Sequence, residues 1–390
     1  MLKRELGFND LLYIGVGNII GGGIFSLIGR SIKYGGGMTW MYLIVTGFVM
    51  FLMSHGYTDI MHMLKDSKSE YNIAEQFGGK YFASGYSLSS MLAGAVSGAV
   101  VALAFAEYFK STFNVSASDV RVAFLTVIVI TVINIVGVRQ SADVISTLTF
   151  VEVGILVLVS LLLPKVFNKK ELFKSPPNIS KSILVPLIII FAYTGSEVLP
   201  RLAGESKNPS KDIPKAINWS IISTSVLYTV VCMVIISLLG VDKSSSSKAP
   251  ILDVFKKLFG NKVTVIVAII AMASIFNTIL TSNLSGSRSL YGFGKQLNIS
   301  PLNKVNKKTK TPTMAILITS LISIILLLIG SKIENLAIYS NIFIMITMIM
   351  INGSAYKVSK SKLQSTRNIT SMILASGFIF YAVRELIKAK

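Results

Sequence analysis

The run Gly15-Val16-Gly17-Asn18-Ile19-Ile20-Gly21-Gly22-Gly23-Ile24-Phe25 decides how this chain is read. Five glycines fall within its first nine residues. Each weakens a helix by about 1 kcal/mol relative to alanine. Yet the run lies inside an apolar stretch, 8–30, long enough to cross a hydrocarbon layer. Backbone groups freed within a bilayer must find partners or line a cavity. Close helix packing needs small residues at four-residue spacing. It does not need three consecutive glycines, which sit on three faces of a helix. The sequence therefore predicts an unwound break in the first span.

A second interruption lies about half-way along the chain. Phe191-Ala192-Tyr193-Thr194-Gly195-Ser196-Glu197 breaks an apolar run that begins at Ile183. The two breaks fall near the starts of two similar five-span blocks, 1–163 and 183–352. Corresponding interruptions in two halves point to a transporter built from inverted repeats. Five is odd, so the second copy must insert with the opposite topology.

The remainder of the chain fits that setting. Of 390 residues, 52% are hydrophobic and 14% are charged, where a soluble domain carries roughly 25% charged residues. Apolar stretches of spanning length recur eleven times, at 8–30, 39–61, 82–109, 121–138, 142–163, 183–201, 216–240, 262–290, 313–330, 335–352 and 369–387. This predicts an all-α polytopic membrane protein, residues 1–390 forming one bundle with 369–387 as an extra C-terminal helix. The first stretch lacks an A-x-A-like cleavage site and is expected to stay as a span. The run Ser244-Ser245-Ser246-Ser247 reads as a flexible loop tip, and Ile251–Phe259 as a short interfacial helix.

Charge and cysteine usage exclude other classes. Cys232 is alone, and His55 and His62 are the only histidines, so neither a disulfide nor a usual zinc site is expected. The net charge of +20 is spread over the connecting loops, as suits an anionic lipid surface rather than a nucleic acid. Lys and Arg divide almost evenly between the two sides, so the positive-inside rule barely favours a cytoplasmic N-terminus. No nucleophile–base spacing suggests an enzyme, and no cofactor is expected.

The breaks carry the chemistry. A half-helix N-terminus presents free N–H groups and the positive end of its dipole, so the amides around Gly21, Gly22 and Gly23 can hold a carboxylate. Unwound carbonyls near Phe191, Ala192 and Thr194 can accept an ammonium. Together these match the two ends of an α-amino acid. In span eight Ser274, Thr278, Thr281, Ser285 and Arg288 share one helical face, giving either interhelical hydrogen bonds or a pathway lining. Glu152 lies mid-span, where an acid marks a functional site by default. Asp59 and Glu107 lie near span ends and read as boundary residues facing water.

These residues resemble the amino acid–polyamine–organocation transporter superfamily. Gly17–Phe25 is similar to its G-x-I-I-G-[SA]-G-I-F, and Phe191–Glu197 to F-A-Y-x-G-F-E. Glu205-Ser-Lys-Asn208-Pro209 with Ile213-Pro214-Lys-Ala216 is similar to the loop that follows. Tyr57-Thr-Asp59, Asn134-Ile-Val-Gly137 and Ser287-Arg288-Ser-Leu-Tyr291 are further echoes, in the family's order. The resemblance implies a LeuT-like five-plus-five inverted repeat with helices 1 and 6 broken, in the plasma membrane with a cytoplasmic N-terminus. It implies substrate contacts from Ile20, Gly21, Gly22, Gly23, Phe191, Ala192, Thr194 and Gly195, with Phe191 as gate. Most members have twelve spans, so a count of eleven suggests that the last is missing and that the C-terminus lies outside.

Three positions depart from the pattern. Gly22 stands for a small Ser or Ala, and Ser196 for a bulky Phe, which would widen or polarise the pocket. Glu152 sits about where some proton-coupled relatives carry a lysine, which makes it the candidate for coupling to a proton. The expected function is transport of an amino acid by alternating access. A polyamine or other organic cation is the alternative substrate, and a non-transporting membrane relative the alternative class.

Overall fold

A computed structural model describes residues 6–63, 70–136, 142–203, 206–309, 311–330 and 332–388. Gly137 and Glu205, quoted in the motifs, lie outside these. The chain begins with α1 (Phe8–Ile19) and α2 (Gly22–Gly35). A 3-10 turn at Gly36–Met38 reverses it into α3 (Thr39–Met63). Next come α4 (Glu70–Phe113), α5 (Asp119–Val136) and α6 (Ala142–Ser160). Two single turns, α7 (Leu163–Val166) and α8 (Lys169–Leu172), lead to α9 (Leu184–Ile189). From α9 the chain continues as 3-10 turns over Ile190–Tyr193 and Ser196–Leu202. The second half holds α10 (Pro209–Leu239), α11 (Val241–Ser246), α12 (Pro250–Gln296), α13 (Thr313–Leu328), α14 (Ile333–Lys357) and α15 (Lys362–Lys388).

Among the described residues, nine helical stretches are long and apolar enough to cross a membrane. Counting Gly22–His62 as two, because of its reversal, and adding the shorter Thr313–Leu328 brings nine to eleven. The chain is thus an all-helical, multi-pass membrane protein. The sidedness of its residues agrees. On α13, Leu317, Leu321, Ile325 and Leu328 are exposed, while Ala315, Thr319 and Ser323 on the other face are buried. That is the reverse of a soluble helix, and it suits lipid outside and small residues at the helix–helix contacts.

α4 lies at the centre of the bundle. Its Ala95, Ala99, Ala102 and Ala106 are fully buried. Gly94 lets α12 come close: a Cβ there would stand 2.8 Å from the Ser282 carbonyl oxygen and 2.9 Å from Gly286 Cα. One isolated parallel bridge pairs Leu6 with Ser206, and the Lys207 N–H donates to the Leu6 carbonyl at 2.9 Å.

Several expectations are corrected. Ser244–Ser246 are not a loop tip but belong to α11, with Ser244 fully buried and its Oγ donating to the Gly240 carbonyl at 2.6 Å. Ser247, which ends α11, donates to Asp253 Oδ2 at 2.6 Å and accepts the Ala249 N–H at 3.2 Å, joining α11 to the start of α12. The short helix expected over Ile251–Phe259 is present, as the first segment of α12, divided from the rest by a kink at Gly260 where φ is +75°. Asp59 and Glu107 do not face water. Each is only 7% exposed, and each meets an arginine: Arg367 Nη2 lies 2.6 Å from Asp59 Oδ1, and Arg30 Nη2 lies 2.6 Å from Glu107 Oε1. A carboxylate this far from solvent is retained because a guanidinium offsets its desolvation.

Candidate functional site

Helical geometry ends at Ile19. Ile20 has ψ +101° and Gly21 has φ −161° and ψ −143°, after which α2 starts at Gly22. Across from it, Thr194 is extended and Gly195 has φ +130°, a conformation that favours glycine. The two interruptions touch. A Cβ on Gly195 would stand 2.5 Å from the Asn18 carbonyl oxygen, and one on Gly23 would stand 2.6 Å from Ala192 Cα. Hydroxyls complete the local hydrogen bonding. Tyr228 Oη donates to the Ile19 carbonyl at 2.9 Å, and Tyr193 Oη donates to the Leu43 carbonyl at 2.8 Å.

Between the interruptions lies a cavity of about 80 Å³. One wall is Asn18, Ile19 and Gly21–Gly23, and another is Phe191, Thr194, Gly195, Glu197 and Val198. α4 supplies Tyr86, Ser90, Ala93, Gly94 and Ser97, and α12 supplies Thr278, Thr281, Ser282 and Ser285. Tyr57 on α3 and Ile344 and Thr347 on α14 complete the lining. Tyr57, Tyr86 and Ser285 lie toward the end of the bundle where α3 and α12 finish. The amides opening α2 have no intrahelical acceptor and adjoin this space.

The sequence-derived residues divide accordingly. Gly21, Gly22, Gly23, Phe191, Thr194, Gly195, Thr278, Thr281 and Ser285 line the cavity. Ile20, Ala192, Glu152 and Ser274 do not. Ile20 is fully buried, and Ala192 packs beneath Gly23. Ser196 is also buried away from the lining, so it neither widens nor polarises the cavity. The Phe191 carbonyl already accepts from the Thr194 N–H at 3.3 Å and from Thr194 Oγ1 at 2.8 Å. Val101 fills the space beside Gly22, where a Cβ would stand 2.7 Å from Val101 Cγ1. A backbone without a side chain at 22 and a valine at 101 are therefore a matched pair.

Glu152 and Ser274 form a separate polar pair behind the first interruption. Ser274 Oγ is hydrogen-bonded to Glu152 Oε1, and the Ile20 carbonyl oxygen lies 3.5 Å from the same hydroxyl. Glu152 is 3% exposed. Reading from sequence missed Asn18, Tyr57, Ser97, Ser282 and Thr347 as cavity residues. A usable signal was present on α4, where Ser90, Gly94 and Ser97 recur at four- and three-residue spacing on one face.

The opposite end of the bundle is built from ions. Arg30, near the end of α2, also approaches Glu334 of α14 at 3.2 Å. Lys248, between α11 and α12, reaches Glu107 at 3.6 Å and Asp119 at 3.0 Å. Lys110 joins Asp119 at 2.7 Å. Burial alone would lower the Lys248 pKa, but the Asp119 hydrogen bond and the charges of Glu107 and Asp119 outweigh it and raise it above the usual lysine value. Among the described residues no group of three or more His, Cys, Asp or Glu side chains is placed to hold a metal ion.

Comparison with known proteins decides the family. The family model described as amino acid permease matches residues 6–384. The chain belongs to the amino acid permease family. Its similarity to individual members is low but long. This family member is 24% identical over 337 residues to the branched-chain amino acid permease BcaP of Bacillus subtilis (strain 168), covering 80% of this chain and 72% of that one. It is 25% identical over 343 residues to cationic amino acid transporter 7, chloroplastic, of Arabidopsis thaliana, covering 80% and 58%. It is 24% identical over 308 residues to the D-serine/D-alanine/glycine transporter of Escherichia coli (strain K12), covering 74% and 63%. The match thus spans little more than half the length of the cationic relative.

Proposed function

We propose that this family member is a secondary active transporter that carries an amino acid across a membrane by alternating access. The observation that carries the reading is the cavity between two touching interruptions. One side offers helix-start amides for a carboxylate, and the other offers the bent backbone at Thr194–Gly195 for an ammonium. The α2 dipole directs its positive end at the cavity. The relatives' names all specify amino acids, though of three different kinds. Family membership, the all-helical fold and the position of the interruptions in the first and sixth apolar stretches support a five-plus-five inverted repeat. On this reading the N-terminus is cytoplasmic, the host is the plasma membrane, and the cavity faces the cytoplasm. Phe191, 4% exposed, closes the other side as the gate.

Purified protein in proteoliposomes tests this. Uptake of at least one amino acid above empty vesicles is expected from a panel that includes polyamines. No uptake, exchange or binding of any amino acid would refute the reading. Topology is tested separately: Ser210→Cys, at an exposed position, should stay unlabelled by an impermeant thiol reagent added to intact cells.

Glu152 supplies the coupling step in this reading. A serine hydroxyl has one proton, and Ser274 stands between two acceptors, Glu152 Oε1 and the Ile20 carbonyl. With Glu152 ionised, Ser274 donates to the carboxylate. With Glu152 protonated, the carboxyl donates to Ser274, and the hydroxyl is released toward Ile20 at the interruption. Protonation thereby biases backbone hydrogen bonding at the site, as a state-dependent preference requires. Tyr228, which donates to the Ile19 carbonyl next to it, is the other titratable group nearby. Glu152→Gln should leave substrate exchange intact while abolishing accumulation driven by a pH gradient. Unchanged pH dependence at normal expression would reject the coupling role.

A further inference from the structure

The cavity wall is made of hydroxyls whose protons are mostly spent. Thr278 Oγ1 donates to the Ser274 carbonyl at 3.1 Å, and Thr281 Oγ1 donates to the Asn277 carbonyl at 3.1 Å. Thr347 Oγ1 donates to the Ile344 carbonyl at 2.6 Å, and Thr194 Oγ1 to the Phe191 carbonyl. A threonine that donates back to its own chain has only lone pairs left to offer. Ser97 and Ser282 face each other across α4 and α12 at 3.4 Å, one hydroxyl donating to the other. Three elements beyond the interruptions, α4, α12 and α14, thus present acceptor oxygens to one small space. An occupant complements such a wall by bringing donors.

Charge and size narrow the donor. Glu197 is the one acidic side chain on the cavity wall among the described residues. Its Oε2 accepts the Gly195 N–H at 2.7 Å, a bond that holds the bent backbone and engages that oxygen. Among the described residues no second carboxylate lines the space to pair with a basic side chain, and desolvating an unpaired guanidinium or ammonium there would be costly. The cavity is small, about 80 Å³, where a single water needs at least roughly 10–15 Å³. A short side chain enters such a space with less rearrangement of the wall than a long basic one. An isobutyl side chain would cover acceptor oxygens without satisfying them, which a polar pocket penalises.

We infer that the cavity selects small amino acids bearing a side-chain hydroxyl, the serine and threonine class, over branched aliphatic and basic ones. The hydroxyl donates into the acceptor wall formed by Thr281 of α12 and Thr347 of α14. This rests on the transport reading above, and it adds a commitment that reading does not make.

The test is binding to purified full-length protein, measured by ligand-induced thermal stabilisation and by competition in proteoliposomes. The probes are glycine, alanine, serine, threonine, leucine, lysine and arginine. Serine and threonine should bind about threefold to tenfold more tightly than alanine, the size of one added hydrogen bond. Thr281→Val and Thr347→Val keep the shape and remove an acceptor. At least one should bring the serine-to-alanine ratio close to one with alanine affinity kept, and reversion to serine at that position should restore the ratio. Leucine, lysine or arginine binding more tightly than serine would overturn this inference and leave the transport reading standing. So would a serine-to-alanine ratio unmoved by either valine variant. Failure of every amino acid to bind would overturn both.

Discussion

The two ends of this bundle are closed by different chemistry. At one end Arg30, Glu107, Glu334, Lys248, Asp119 and Lys110 tie α2, α4, α5 and α14 together through charge. At the other, Tyr57, Tyr86, Ser90 and Ser285 line a space with neutral polar groups, and an ion pair there, Asp59–Arg367, lies outside that lining. Ion pairs between helices are strong while water is excluded and weaken sharply once it enters. Such a seal holds firmly when closed and releases without a large gradual deformation. Neutral hydroxyls tolerate both wet and dry surroundings because they carry no charge to desolvate. The contrast teaches that rigidity and access have been placed at opposite ends of the same helices.

The largest effect should come from the junction between the two ends. Gly23→Val puts a side chain where Ala192 Cα would already lie 2.6 Å from a Cβ, and backbone cannot step aside. Overpacking of this kind costs about 1–3 kcal/mol or more. Substrate-induced thermal stabilisation should vanish, and a variant that still binds would mean that the two segments separate readily. Next comes the ionic end. Glu107→Gln leaves Arg30 paired with Glu334 and keeps an amide oxygen beside it, so the loss should fall well below the roughly 3–5 kcal/mol of breaking a buried pair outright. A clear drop in melting temperature in detergent is expected. No drop would show that Glu107 adds nothing to that end.

Lys248→Met should destabilise less, because its side chain is 58% exposed. Its pH behaviour has a definite sign. Since the folded state raises this lysine's pKa, its stabilisation is complete below the usual lysine value and disappears as pH rises through the raised one. Melting curves of the parent should therefore lose stability at strongly alkaline pH, and those of Lys248→Met should lose less. The smallest effect belongs to Lys174–Asp242, a surface pair at 3.0 Å with Asp242 almost fully exposed. Lys174→Ala should leave the melting temperature unchanged within error, and a measurable shift would mark that loop as part of the ionic end.

Much of this architecture was legible in the sequence because lipid imposes a long-range compositional rule. Runs such as Thr313–Leu328 announce themselves without any partner. The ion pairs were not legible. Arg30 and Glu107 are 77 positions apart, and Asp59 and Arg367, at the opposite end, are 308 apart, so no local pattern joins them. Single acids near span ends look solvated until the helix across from them is known. Ser244–Ser246 misled for a related reason: a serine run has loop composition, and only packing against Ile235 and Gly240 makes it helical. For the candidate site, the glycine-rich segments stood out by violating helix propensity. The α4 wall did not, because Ser90 and Ser97 are ordinary residues for a buried helix.

The Leu6–Ser206 bridge has a mechanical consequence. It joins the start of the first pass to the segment following the sixth, and the Gly23–Ala192 and Gly195–Asn18 contacts join the same two passes at mid-length. Two rods tied at two separated points have lost both their sliding and their scissoring freedom. They behave as a single lever whose fulcrum must lie elsewhere, on the helices that surround them. A motion that parted them at this face would first have to unzip a short backbone pair.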